Sequence, residues 1–297
     1  MAGTQTQFQT FLNEELAKTK GIYYPVKANI LQRAVIRKAH TSKLHPNPDD
    51  EFCDPKTGPN YSIISRYESD YRRNGDNISS GLFVGEISEP LMVEKTRPNG
   101  FRILNGHHRW AAAMRVGYNP IGIRIVNLTT EADVHKMLKK TNRTRRVSMD
   151  LDEVIFVSGR DRPMEKSLRF PFSRIYRERI RLGIPALLEF LDRKGFDVWV
   201  YSSRYYSVEY LQNLFRHYHC QVAGIITGTA RKSSAKVIRS MGMLVDNKYK
   251  CTVHVDNESV ICTFRDEKEF EETTLSGSEK SWSAEVMDAI GALKAHE

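Results

Sequence analysis

The second half of the chain alternates between short apolar segments and amphipathic segments, and this alternation constrains the fold more than any other feature. Apolar runs of strand length (FDVWVYSS, VAGIIT and TVHVD) are separated by helical patterns such as IPALLEFLDRKG and VEYLQNLFRHY. Parallel strands need long crossovers, which are usually helices. We therefore predict an α/β domain with a parallel sheet over residues 146–265.

The first half has a different pattern, and 297 residues are enough for two domains. Apolar residues at three- and four-residue spacings predict a helical extension over residues 1–40. Beyond Pro90 the order is strand, turn, strand, helix and strand, within a predicted domain at residues 41–140. A basic segment then predicts the domain boundary, and residues 266–297 are predicted to form a linker and a closing helix.

The composition favours a polyanionic partner. The formal net charge is +9, and basic surface attracts phosphate at long range, so DNA and RNA are candidate partners beside a nucleotide. No apolar run approaches the roughly 20 residues that span a bilayer, and the first residues lack the order of a secretory signal. We expect a cytoplasmic protein without a membrane partner. The four cysteines show neither zinc-ligand spacing nor a disulfide framework.

A first candidate site is the segment NGHHR, which lies between a predicted strand and an alanine-rich predicted helix. Its residues are Asn105, Gly106, His107, His108 and Arg109. The start of a helix directs backbone N–H groups and the positive end of the helix dipole at one point, and the arginine adds a charge. Phosphate is the natural ligand. The alternative is that the histidines only cap the helix and the arginine pairs with a surface carboxylate.

The longer segment EPLMVEK...GFRILNGHHRWAAAMRVGYNPIGIRIV resembles the core of the ParB/sulfiredoxin superfamily, whose members present a similar turn to nucleotide phosphates. The resemblance covers roughly residues 40–127 and implies an α+β domain that binds a nucleoside triphosphate, ATP or CTP. Sulfiredoxins have a cysteine where His107 stands, so sulfinic acid reduction is not expected. The doubled histidine is most similar to the serine-kinase branch, which has Asp in place of Asn105.

The serine-kinase branch implies a base for the attacking hydroxyl in the loop before the first helix. The matching loop is HPNPDDEF, in which Glu51 is the candidate and Asp50 is the next choice. Such a carboxylate can accept the hydroxyl proton while Mg²⁺ and Arg109 hold the phosphates in line. The alternative is an acidic loop that only caps a helix.

A second candidate site is the segment DLDEVIF. It follows a predicted strand, so Asp150 and Asp152 are expected at the carboxyl end of a parallel strand. Two carboxylates there can hold Mg²⁺, which prefers oxygen ligands. Aspartate pairs are common on protein surfaces, but here WVYSS, a basic residue and VHVDNE follow in order.

That order resembles the motifs of haloacid-dehalogenase-like (HAD-like) hydrolases, and the resemblance covers residues 146–265 and implies a Rossmannoid fold. It implies that Asp150 is the nucleophile that forms an aspartyl-phosphate and that Asp152 is the general acid and base. Ser202 corresponds to the hydroxyl that binds the phosphoryl group, and Lys232 to the lysine that neutralises it. Asp256 corresponds to an acidic Mg²⁺ ligand, in addition to the first two aspartates.

The segment departs from the HAD-like pattern at two positions. Asn257 stands where the family often has a second acid, and Glu153 stands where a glycine is common. Lys248 and Lys250 are alternatives to Lys232 for the basic residue.

The distance in sequence from Asp152 to Ser202 is too short for a large cap domain, and an open site suits phosphate on a macromolecule. Between them lie arginines that can follow a nucleic-acid backbone and aromatic residues that can stack on bases. These residues are Arg169, Arg174, Arg177, Arg179, Arg181, Phe170, Phe172 and Tyr176. The alternative is a solvated basic face with its aromatic residues in the core.

Together, these observations predict a phosphoryl-transfer enzyme: a nucleotide-binding, kinase-like domain joined to a Mg²⁺-dependent phosphatase domain, with nucleic acid as a candidate substrate. The alternative is a nucleotide-gated, ParB-like DNA-binding protein, or a nuclease, in which the HAD-like domain is a scaffold. The positive charge fits each of these functions and does not discriminate between them.

Overall fold

The computed structural model describes residues 2–19, 21–74, 89–157, 163–229, 235–265, 270–278 and 280–293. Its contacts divide the chain into two compact units, with the division between Asn127 and Leu128. Each unit has its own mixed sheet and its own buried core. The predicted α/β class is therefore confirmed. Among the described helices, none is both long and apolar enough to cross a membrane.

The amino-terminal unit is built on a six-stranded sheet in the order β2-β6-β4-β5-β3, with β1 paired to β4. β4 is antiparallel to β5 and parallel to β6, and β5 leads directly into α4. Its elements are α1 (Ala2–Thr19), β1 (Tyr24–Pro25), α2 (Ile30–Ala34), β2 (Arg37–Ala39), β3 (Leu44–His45), α3 (Tyr61–Asn74), β4 (Leu91–Arg97), β5 (Phe101–Asn105), α4 (His107–Val116) and β6 (Ile121–Ile125).

The first 40 residues are not continuously helical, contrary to the prediction. Helices α1 and α2 are separated by β1, and β2 follows α2. Gly21 has a φ of +75°, which ends the first helical segment, and Pro25 lies in β1. Val35, at the end of α2, is extended, and a β-branched pair there favours a strand. Both short strands join the sheet, so this segment is part of the amino-terminal unit.

Helix α4 lies in the core of the amino-terminal unit and packs against α3 and β4. Ala111, Ala112 and Ala113 are fully buried, and Trp110 lies among the rings of α1. Gly117 ends the helix with a φ of +70°, a conformation that glycine adopts readily at a helix end. The other end begins at a glycine of positive φ, and there the first candidate site lies.

The carboxyl-terminal unit has the sheet order β12-β11-β10-β7-β8-β9. β10, β7, β8 and β9 are parallel, as predicted, whereas β11 and β12 form an antiparallel edge. Its elements are α5 (Glu131–Leu138), β7 (Arg145–Asp150), a π-helical turn (Leu151–Ile155), α6 (Phe172–Ile175), α7 (Ile184–Arg193), β8 (Phe196–Ser202), α8 (Val208–His217), β9 (Gly224–Thr227), α9 (Ala235–Asp246), β10 (Cys251–Val255), β11 (Ser259–Phe264), β12 (Phe270–Thr274) and α10 (Trp282–Ala292).

This second sheet is covered on both faces, as the alternation along β8 shows. Val198 and Val200 belong to the core formed with α7, α8 and α10. Trp199 points to the other face, where it packs with residues of α5 and α9 and donates to the Tyr249 hydroxyl at 2.8 Å. With both faces covered, the polar residues that follow the parallel strands lie at the carboxyl ends of those strands, where ligands bind in such folds.

Candidate functional site

The amino-terminal candidate site is the turn between β5 and α4. Gly106 has a φ of +100°, and a Cβ there would overlap Cδ2 of the buried Leu91 and lie 3.1 Å from Nη2 of Arg109. The guanidinium of Arg109 therefore packs over the glycine, and it donates to the carbonyl of Glu89. Trp110 makes the first intrahelical bond, so the preceding three amides have no acceptor within the helix. Three amides and a guanidinium meet at this turn.

The ring of His107 faces the protein interior. Its Nε2 accepts from the Asn47 amide at 3.1 Å, and its Nδ1 lies 3.4 Å from Oδ1 of Asp50. The Phe52 ring stacks on it with centroids 5.5 Å apart. Burial lowers its pKa to about 4, with a further lowering by His108 and an opposing effect of Asp50. The neutral ring, with its proton assigned to Nδ1, holds the loop against α4.

His108 holds the other end of the same loop, because its Nε2 accepts from the Asn60 amide at 3.1 Å, and burial lowers its pKa. Asp50 caps a short 3-10 turn by accepting from the Phe52 amide at 3.0 Å, which is the capping alternative considered for the acidic loop. Glu51 follows as the first residue of that turn and is exposed.

The predicted phosphate-binding residues therefore divide into two groups. Gly106 and Arg109 form the turn, and Asn105 is exposed at the end of β5. Nε2 of His107 and Nε2 of His108 accept from loop amides, and the His107 ring is buried, whereas the His108 ring is partly exposed. Sequence reasoning missed the loop amides that they bind, because pairing across 60 and 48 residues leaves no local pattern.

The carboxyl-terminal candidate site starts at the end of β7. Oδ1 of Asp150 accepts from the amides of Asp152 and Glu153 at 2.7 and 2.8 Å, which caps the π-helical turn. Burial raises the pKa of Asp150 above its ordinary value, against these two amide bonds, which lower it. The carboxylate is only partly buried and can meet a substrate.

Asp152 joins the end of β7 to the end of β8. Its carboxylate accepts from the Ser202 hydroxyl at 3.0 Å, and from both the amide and the hydroxyl of Ser203 at 2.8 Å. Nε of Arg204 lies 3.6 Å away. These donors fix the side chain in one orientation, as a proton-transfer group requires.

Ser202 lies inside the site and contacts Asp152, and its predicted contact with a phosphoryl group stays a prediction. It is completely buried, and its hydroxyl donates to Asp152 and accepts from the Arg204 amide at 3.1 Å. Ser203 and Arg204 are exposed beside the same carboxylate and are better placed to contact a phosphoryl group. Sequence reasoning missed both, although they follow Ser202 directly in the segment YSSR.

Asp256 lies beside Asp150 at the carboxyl ends of the strands, because β7 and β10 are parallel neighbours with Met149 opposite Val255. Within the described residues, no group of three or more His, Cys, Asp and Glu side chains is arranged to hold a metal ion. The predicted set of three aspartates is not assembled, because Asp152 turns towards β8. Asp150 and Asp256 still fit Mg²⁺, which is often bound by one or two carboxylates and several waters.

Asn257, where the family often has an acid, is held by a buried arginine. Nη1 of Arg181 donates to its Oδ1 at 2.8 Å, and Nε1 of Trp282 donates to its carbonyl at 3.2 Å. The Arg181 guanidinium lies 4.0 Å from the centre of the Trp282 ring, and the residue is 2 % exposed. Arg181 therefore cannot belong to an exposed arginine surface, contrary to the sequence grouping.

The alternative lysines lie at the amino end of β10, away from the candidate site at the carboxyl ends of the strands. Lys248 and Lys250 precede β10, whereas Asp256 follows it. Nζ of Lys248 donates to the carbonyls of Leu138 and Thr141, both at 2.7 Å, and burial lowers its pKa. Lys232, the first choice, lies outside the described residues.

Comparison with known proteins supports part of the resemblance. The family described as the ParB N-terminal domain matches residues 78–141, which include the turn at Gly106. A search of curated proteins finds no match. A C-terminally truncated chromosome-partitioning protein ParB from Caulobacter crescentus, solved with CTP-γ-S, is 22% identical, with a TM-score of 0.24; the match covers 32% of this chain and 45% of that one. This chain therefore spans less than half of that structure.

Proposed function

We propose that the amino-terminal unit binds a nucleoside triphosphate, CTP or ATP, at the turn before α4. The carrying observation is that the Arg109 guanidinium packs over Gly106 beside the first amides of the helix, within the segment that matches the ParB N-terminal domain. Amides at a helix start bind phosphate, and a charged donor strengthens the interaction. In this proposal the loop held by the two histidines lies next to the bound nucleotide.

We further propose that the carboxyl-terminal unit is a HAD-like phosphatase. Support comes from Asp150 at the end of β7 and from Asp152, which is oriented by Ser202 and Ser203. Asp150 attacks phosphorus, the bond to the leaving oxygen breaks, and Asp152 protonates that oxygen. Asp152 then takes a proton from water, which releases phosphate and restores Asp150. Asp150 and Asp256 would hold Mg²⁺, which would neutralise phosphoryl charge.

Two other functions stay open to test. The family match favours a nucleotide-gated DNA-binding protein whose second unit is a scaffold, and a nuclease is a further form of that alternative. The exposed Glu51, within the loop anchored by the histidines, favours a kinase activity in which it accepts the proton of an acceptor hydroxyl.

Calorimetry with Mg²⁺ and ATP, CTP or GTP tests the first proposal. We expect Arg109→Ala to weaken binding at least about tenfold, since a hydrogen bond to a charged group contributes about 1.5–3 kcal/mol. The control Arg124→Ala, at an exposed position of β6, should bind as the unchanged protein does. Absence of binding by the unchanged protein would contradict the proposal. Turnover assays with DNA, RNA or free serine then separate hydrolysis, transfer, clamping and cleavage.

A further inference from the structure

A row of aromatic rings extends from the carboxyl-terminal candidate site, and we call it the aromatic track. It consists of Tyr206, Tyr210, Tyr176, His217 and Phe172. Tyr206 and Tyr210 are nearly parallel, with 6° between planes and centroids 6.1 Å apart. The ring centroids of the following pairs are 5.0 Å (Tyr210–Tyr176), 5.2 Å (Tyr176–His217) and 4.1 Å (His217–Phe172) apart. Each ring is therefore a neighbour of the next, from the start of α8 to α6.

The track begins at the candidate phosphatase site. Arg204 donates to the phenol oxygen of Tyr206, and the same guanidinium is 3.6 Å from Asp152. Arg204 is thus shared by the site and the track. A molecule that places a phosphate beside Asp152 has the first ring of the track within reach.

The rings pack against the protein and remain partly exposed. Tyr206, Tyr210 and Tyr176 pack against the core of the unit and are half-buried, whereas Phe172 is 39 % exposed. The Tyr210 hydroxyl donates to the carboxylate of Glu178, which fixes that ring. Burial raises the pKa of Tyr206 to about 12, so its phenol is uncharged at neutral pH. Rigid, neutral rings suit stacking, because little side-chain freedom is lost on binding.

Positive charge accompanies the rings. The guanidinium of Arg174 lies 5.2 Å from the centre of the exposed Phe170 ring, and the backbone of Arg177 bonds to the Tyr210 phenol. Arg169 and Arg179 are exposed on the same segment. Arginines beside stacked aromatic rings are the combination that binds single strands with little sequence preference.

We propose that the aromatic track binds single-stranded nucleic acid whose terminal phosphate lies beside Asp150 and Asp152. Bases stack on the rings, and the arginines contact backbone phosphates. Only an unpaired strand offers successive flat faces to a row of rings, which favours it over duplex DNA and over a phosphopeptide. The position of the terminal phosphate rests on the proposed phosphatase function, whereas base stacking does not.

Fluorescence anisotropy on the full chain tests the track with a labelled oligonucleotide, with and without a terminal phosphate. We expect Phe172→Ala to weaken binding about 5- to 20-fold, and Arg174→Ala to reduce the slope of log affinity against log salt by about 0.7. The matched controls are Phe270→Ala, at a phenylalanine 61 % exposed on β12, and Arg193→Ala, at an exposed arginine on α7. The controls should bind as the unchanged protein does.

The outcomes separate the two proposals. Oligonucleotide binding that needs Phe172, in a protein without phosphatase activity, would support the track and contradict the phosphatase. Hydrolysis of small phosphate esters without oligonucleotide binding would overturn the track alone. The track is also overturned if Phe172→Ala and Phe270→Ala behave alike, or if a phosphopeptide is bound more tightly than the oligonucleotide.

Discussion

The two candidate sites are built from similar backbone parts and use them in opposite ways. Each follows a strand that ends at a turn. At the turn before α4, the rings of His107 and His108 bind a loop through Nε2, while the first amides of α4 and the buried Arg109 guanidinium lie beside Gly106. At the end of β7, Asp150 and Asp152 use backbone amides for their own orientation and present carboxylates.

This difference teaches what each site can do. A site of amides and a guanidinium is positive and attracts a polyphosphate without a metal. A site of carboxylates repels phosphate until a cation neutralises it, yet it supplies a nucleophile and a proton carrier. The two donor sets therefore suit the two proposed roles, phosphate binding at the first site and covalent chemistry at the second.

The largest expected effect is loss of the nucleophile. Asp150→Asn should abolish Mg²⁺-dependent hydrolysis of para-nitrophenyl phosphate, because an amide cannot form the aspartyl-phosphate. Asp288→Asn, at an exposed aspartate of α10, is the control and should retain full activity. The assay is steady-state release of nitrophenol. Full activity of Asp150→Asn would show that Asp150 is not the nucleophile of the carboxyl-terminal site.

The next effect concerns the proton carrier. Asp152→Asn should slow turnover by about 10²- to 10⁴-fold, the contribution of a positioned acid and base. Nitrophenol leaves without needing a proton, so the first step should persist and the phosphoenzyme should accumulate. Rapid-quench measurement of the burst checks this. An Asp152→Asn protein with neither burst nor turnover would contradict this prediction, because it would indicate a purely structural role for Asp152.

A smaller effect should appear at the first site as pH falls. The folded state holds the pKa of His107 near 4, below its ordinary value of 6.5, so the neutral form is required. The stabilisation is complete above pH 6.5 and is lost as pH falls towards 4, by at most about 3 kcal/mol. Hydrogen exchange of the α4 amides, corrected for intrinsic rates, measures it.

The control for this pH effect is His135→Gln, since His135 is exposed on α5. It should keep the pH dependence of α4, whereas His107→Gln should remove it. Equal dependence in both variants would mean that another group titrates, and the inward ring would not be the device that holds the loop.

The smallest effect compares the two glycines that bound α4. Gly117→Ala places a side chain at a φ of +70° with no atom near it, which should cost about 1 kcal/mol of unfolding free energy. Gly106→Ala adds the overlap with Leu91 and should cost about 2 kcal/mol. Urea denaturation followed by exchange of α4 amides gives both values. The reverse order would show that the turn before α4 is not closely packed.

The sequence predicted secondary-structure elements better than it predicted which side chains contact each other. The parallel strands of the second unit and the glycine that ends α4 follow local patterns, and both are present in the structure. The failures are non-local. Pattern cannot show that Asp152 would draw Ser202 inward and leave Ser203 outside, since the direction of a side chain past the end of a strand is set by the turn. Lys248 is a candidate from sequence alone, because the sequence does not show whether it lies at the amino or the carboxyl end of the neighbouring strand.

Helix α5 has a consequence for how the protein can be divided. The family match runs through residue 141, yet Val134 and Met137 of α5 are buried among Trp199 and the residues of α9. The segment shared with a family and the segment that packs as one body therefore have different ends. A fragment cut after residue 141 would expose two apolar side chains to water and invite aggregation, whereas a cut before Leu128 leaves the helix with the residues that cover it.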